Sequence, residues 1–93
     1  MMLTEPGRIG AMRTRNRVVM AAMGIRGTTE ADGDWGERTR AFYAARAAGG
    51  VGVIVPEMVF VSRAIEPAAS TCIDLASDAH LESVRRLADD LHR

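Results

Sequence analysis

Few side chains in this sequence could do chemistry, and most of them lack the company that chemistry needs. Cys72 is the single cysteine and has no histidine near it in sequence to take its proton. It therefore reads as a packed thiol and not as a nucleophile. His80 and His92 stand twelve residues apart, which is no metal-ligand spacing, and both are expected to face solvent. Arg26 and Arg63 fall in two polar stretches where they could meet an anionic group, although solvated arginines are the default. Glu57 closes a valine-rich run, where it could hydrogen-bond a ligand, cap the backbone, or pair with Arg26 or Arg63. Gly24 closes a second such run. Without a Cβ it lets the main chain approach a ligand closely, though a bare turn glycine would look the same. Met20, Phe42 and Tyr43 read as packing residues. Ala48-Gly49-Gly50-Val51-Gly52 precedes a strand pattern, the wrong order for a phosphate-binding glycine fingerprint. No catalytic residue and no metal ligand is assigned.

The elements that would position these residues begin with the two valine-rich runs, Arg17–Gly24 and Gly50–Glu57. Each is short, apolar and bounded by Gly or Pro, the pattern of a strand buried on both faces. Gly36 to Ala48 carries a helical pattern, with Ala41, Phe42, Ala45, Ala48 and Gly49 along one stripe. Gly49-Gly50 stops that helix. The unit is thus strand, helix, parallel strand. A turn-rich lead-in over residues 2–16 predicts a short hairpin covering one end of the sheet. Residues 24–35 form a polar loop, and a long connection runs from Pro56 to Ala76. A last helix is capped by Ser77 or Asp78 and buries Leu81, Val84, Leu87, Ala88 and Leu91. On it Glu82–Arg86 and Asp89–Arg93 are spaced for ion pairs worth ~0.3 kcal/mol each. In parallel β/α barrels the active site lies at the carboxyl ends of the strands. Here those ends are Ala21–Gly24 and Val55–Met58.

Composition narrows the function. The chain has 93 residues, 47% of them apolar, which suits at most one small folded domain and does not indicate disorder. A complete β/α barrel needs about 250 residues. Twelve basic and twelve acidic residues cancel at a pI near 6.7, giving no footprint for nucleic acid or anionic membrane. A lone cysteine suits a reducing cytoplasm. Neither a signal peptide nor an apolar run of membrane-spanning length is expected.

The stretches Ile9–Met23 and Ala41–Glu57 resemble the opening of the old yellow enzyme family, most of all its branch around 2,4-dienoyl-CoA reductase. The resemblance implies the amino-terminal (βα)2 portion of a TIM (β/α)8 barrel, α/β in class, with a lead-in hairpin and the barrel incomplete. It divides the chain into a bottom hairpin (1–16), a first βα unit (17–50) and a second (51–93). It further implies an FMN-dependent enzyme that passes hydride from NADH or NADPH to a small substrate with an activated carbon–carbon double bond. A flavin is a flat ring with hydrogen-bonding edges. Ala22, Met23, Gly24 and Met58 would lie against it. Ala22 stands where the family commonly has proline, Gly24 where threonine or cysteine is frequent, and Met58 where alanine or glycine is usual. Arg26 occupies the place of a substrate-binding tyrosine found in some members, so that role is not carried over. The family's proton donor, substrate-gripping pair and phosphate site belong to later strands. The isolated 93 residues are accordingly expected to bind flavin weakly and to turn nothing over. The rival expectation is a non-enzymatic α/β module, or a homo-oligomer, pairing through its open strand edges. Another barrel family, such as a phosphate-binding isomerase, is disfavoured.

Overall fold

Gly10 opens the fold with a positive φ of 60° at the tip of a hairpin. Strand β1 (Gly7–Ile9) returns as β2 (Met12–Thr14), antiparallel, with Ile9 opposite Met12. Positive φ at the first of two loop residues is the requirement of a type II′ turn, which explains glycine there. The computed structural model describes residues 2–24, 29–61, 73–75 and 78–92. Within them the order continues as β3 (Val19–Met20), α1 (Glu37–Ala48), β4 (Val53–Ile54), β5 (Val59–Phe60), β6 (Ile73–Asp74) and α2 (Leu81–Leu91).

Strands β3 and β4 pair in parallel, Val19 opposite Val53 and Met20 opposite Ile54, with α1 as the crossover. This is the strand–helix–strand unit that the apolar runs predict. The regular pairing is shorter than the runs, two residues on each side. Nor are the strands buried on both faces: Val19 is 51% exposed and Val55 42%. The reason is topological, because the strands among the described residues form separate two-stranded sheets that leave one face uncovered and close no barrel. The long connection after Pro56 is not one loop, since β5 and β6 lie in it as a further parallel pair.

Gly50 stops α1 with φ 112°, while Gly49 stays in the right-handed region. The buried side of α1 keeps part of the expected stripe, with Phe42 packed against the core, but is shifted from its alanines. Thr39 and Tyr43 face the core, while Ala41, Ala45 and Ala48 are exposed. The large ring decided the facing, since burying Tyr43 removes far more apolar area from water than burying an alanine. Helix α2 behaves as its pattern predicts, with Leu87 buried and Val84 and Leu91 packed against the core, except that Leu81 is 56% exposed. His80, not Asp78, occupies the N-cap position; Ser77 lies outside the described residues. Arg40 on α1 meets Asp90 on α2 at 3.6 Å. The core is Trp35, Tyr43, Ile73 and Leu87, with Met20, Phe42, Ile54 and Val59 against it.

Two polar clamps tie the amino end of β3 to the far side of the crossover. Asn16 Nδ2 donates to Gly50 O at 2.5 Å, and Asn16 Oδ1 accepts from Val18 N at 3.0 Å. Arg15 Nη2 donates to Ala47 O at 2.5 Å and Val51 O at 3.0 Å. A guanidinium there satisfies orphan carbonyls and complements the negative end of the α1 dipole.

Candidate functional site

Because β3 and β4 run in parallel, their carboxyl ends leave the sheet at the same rim. Val55 N donates to Met20 O at 3.0 Å, the last bond before the two chains part. Beyond it Ala21, Ala22, Met23 and Gly24 are all exposed, Met23 by 54%. A Cβ built on Gly24 would meet nothing within 4 Å. Among the described residues, the main-chain groups of Ala22, Met23 and Gly24 make no hydrogen bond. Met58, on the β4 side, is 69% exposed. The rim thus offers small side chains, unengaged backbone donors and acceptors, and two thioethers. That donor set fits the edge and face of a flat heteroaromatic ring such as flavin. Among the described residues no group of three or more His, Cys, Asp or Glu could bind a metal ion.

Behind the open rim the chain is tightly held. Glu57 is only 8% exposed, and its main-chain N–H donates to the Tyr43 hydroxyl at 2.9 Å. Burial raises the Tyr43 phenol above its ordinary pKa; the hydrogen bond from Glu57 works against that rise, and the Glu57 charge adds to it. Phe42 meets Tyr43 edge-on at 5.4 Å, and Trp35 lies tilted against it at 6.3 Å. Arg46 covers the outer face of Phe42, 3.7 Å from the ring centre.

The loop that follows Gly24 is pinned at its far end. Glu30 N donates to Asp34 O and Gly33 N to Glu30 O, both at 2.9 Å, with Gly33 at φ 90°. Asp32 Oδ1 accepts from Asp34 N at 3.1 Å, and Asp32 Oδ2 lies 3.2 Å from His80 Nε2. The Asp34 N–H first, and then His80, hold the Asp32 carboxyl below its usual pKa. His80 is 7% exposed, so the expectation that it faces solvent is corrected: its ring is buried and reaches the exposed Asp32 carboxylate from within. His92 is exposed as expected.

The structure therefore brings Ala22, Met23 and Gly24 to the rim shared with the β4 exit, from which Met58 follows four residues after the last paired position. Arg26, Arg63 and Cys72 lie outside the described residues. The Tyr43–Glu57 and Asp32–His80 contacts are not legible in the sequence. Asp32-Gly33 carried a turn signal, but nothing in the sequence identified a partner 48 residues away. No helix among the described residues is long and apolar enough to cross a membrane.

Comparison with known proteins bears on the same stretch. Residues 2–93 match the profile of the NADH:flavin oxidoreductase / NADH oxidase family. A cinnamate reductase from Clostridium sporogenes is 40% identical over 67 residues, covering 72% of this chain and 10% of that protein. An NADH oxidase from Thermoanaerobacter brockii is 36% identical over 90 residues, 97% of this chain and 14% of that one. Among solved structures, a variant of NCR from Zymomonas mobilis superposes with a TM-score of 0.80 at 29% identity. It covers 97% of this chain, which spans 28% of it. The old yellow enzyme from Trypanosoma cruzi gives 0.76 at 27% identity, and the chain spans 24% of it.

Proposed function

The chain belongs to the NADH:flavin oxidoreductase / NADH oxidase family, and from that premise we propose that it supplies the first two β/α units of an FMN-dependent ene-reductase barrel. The observation that carries this reading is the open rim at Ala22–Gly24, with its unengaged backbone and its unobstructed glycine. In this reading residues 1–16 form the bottom hairpin, 17–50 the first unit and 51–93 the second.

Ala22, Met23 and Gly24 would hold the ring through main-chain groups and close apolar contact, and Met58 would lie against it from the β4 side. When bound, the flavin supplies the hydride relay from NADH or NADPH to a small substrate with an activated double bond. The chain's own contribution is to orient the ring and keep water from its covered face. It supplies no acid or base for the reaction. A reducing cytoplasmic setting is consistent with the lone Cys72.

The test is titration of the isotope-labelled chain with riboflavin, which presents the ring without a phosphate. Weak shifts centred on Ala22, Met23, Gly24 and Met58 are expected. Shifts confined to the opposite end of the sheet would overturn the assignment, and tight saturation would overturn the expectation that these two units are insufficient alone. Exposed Val18, Val19 and Val55 favour a second reading, a non-enzymatic module or homo-oligomer paired through its strand edges. A concentration-dependent oligomer that ignores riboflavin would select it.

A further inference from the structure

The chain is neutral overall, yet residues 6–29 contain five arginines and no acidic residue. The hairpin concentrates this charge. Its register sets Arg8 directly opposite Arg13, a like-charge pair that weakens a two-stranded ribbon unless a counter-charge sits between the two. Arg17 joins them from the segment leading into β3. Its main-chain N–H donates to Leu3 O at 2.9 Å, and its Nε donates to Pro6 O at 3.2 Å. Those bonds fix the guanidinium while leaving its two Nη groups uncommitted among the described residues.

Gly7 makes this placement possible. A Cβ there would stand 3.1 Å from Arg17 Cγ and 2.9 Å from Thr14 Oγ1, so the arginine stem lies in space that a side chain would fill. Pro6, Gly7, Arg8, Arg13 and Arg17 line an open cleft of about 380 Å³. None of the three arginines forms an ion pair with a described carboxylate. Arg15, by contrast, is spent on Ala47 O and Val51 O.

We propose that Arg8, Arg13 and Arg17 form a binding site for a phosphate-type oxyanion at the hairpin, at the opposite end of β3 from Ala22–Gly24. Three planar forks arriving from two strands and a following segment suit a tetrahedral anion with several acceptor oxygens. A lone carboxylate would engage one fork. The site is independent of the flavin reading, because it shares no residue with that rim.

The experiment titrates the full 93-residue chain with sodium pyrophosphate at fixed ionic strength, following the arginine Nε–H resonances and the Tm. Saturable shifts of Arg8, Arg13 and Arg17 are expected, with Kd on the order of 1 mM, together with a rise in Tm. Arg13→Ala, an exposed hairpin substitution, should weaken binding about tenfold. Arg17→Lys keeps the charge but loses the fork, and should also weaken it, with far-UV circular dichroism unchanged. An equal response to sodium chloride at the same ionic strength would refute the site, as would undiminished binding by Arg13→Ala. A second arm uses a nucleoside monophosphate. Tighter binding than inorganic phosphate, titrated in parallel, identifies a phosphate carried on a larger molecule, and equal binding identifies the free anion.

Discussion

The Tyr43 hydroxyl accepts the main-chain N–H of Glu57 at 2.9 Å, which fastens the middle of α1 to the segment leaving β4. One side chain thus links the crossover helix to the rim where a ligand would sit. Tyr43→Phe keeps the ring and deletes the acceptor, leaving a buried N–H without its bond. A loss of about 1–3 kcal/mol in unfolding free energy is expected, read from denaturant midpoints. A loss well under that range would mean that water replaces the hydroxyl.

The same phenol predicts an alkaline limit to stability. Its folded pKa is raised, by burial first, so the native state holds the proton more firmly than the unfolded chain. That preference is complete below the unfolded value near 10 and disappears as pH climbs through the folded value. Tyr43 is the only tyrosine, so phenolate absorbance reports on it alone. Ionisation should lag behind that of a free phenol and then coincide with unfolding.

Gly52 abuts the strand-entry clamp. A Cβ there would sit 2.8 Å from the main-chain oxygen of Asn16, a backbone atom with little room to yield. Gly52→Ala should destabilise the unit by about 1–3 kcal/mol in thermal or chemical unfolding. Gly36→Ala should cost less, because its obstruction is the movable end of the Glu30 side chain.

On α2, Glu82 accepts from Arg85 at 2.5 and 3.0 Å and from Arg86 at 3.3 Å. Arg85 chiefly, then Arg86, lowers its pKa to about 2. A depressed carboxylate favours the folded form above its unfolded pKa, and that benefit fades as pH falls from about 4.5 towards 2. The group is fully solvated, so the effect should be small and screened by salt. Helicity followed through acid titration should fall in that window, and Glu82→Gln should flatten the change.

How far the sequence alone reached depended on the range of the interaction involved. The parallel pairing of Val19 with Val53, the glycine stop at Gly50 and the Leu87 side of α2 all follow from local periodicity and punctuation, and all are present. So is the Glu82–Arg86 pair; Arg93 lies outside the described residues. On α1 the packing of Phe42 and Tyr43 follows from residue type, whereas the alanines of the expected stripe stay exposed and Thr39 is buried, because alanine burial is worth little against an aromatic ring. The burial of His80 is not legible locally, because its partner Asp32 lies 48 residues away. The strands β5 and β6 leave no signal in the sequence, since a two-residue pairing has no period. At the candidate rim, the small residues Ala22 and Gly24 are legible as types, but the tie from Tyr43 to Glu57 on the segment leaving β4 is a contact between distant parts of the chain.

The aromatic pair in the core has a further use. Trp35 and Tyr43 are the only indole and the only phenol in the chain, and their rings lie 6.3 Å apart. At that separation, light absorbed by the phenol passes to the indole before it can be re-emitted, so the folded chain glows with one colour. Parting the two rings would bring back the phenol's own emission. The protein thus carries an internal gauge of whether its centre is shut, with no dye attached.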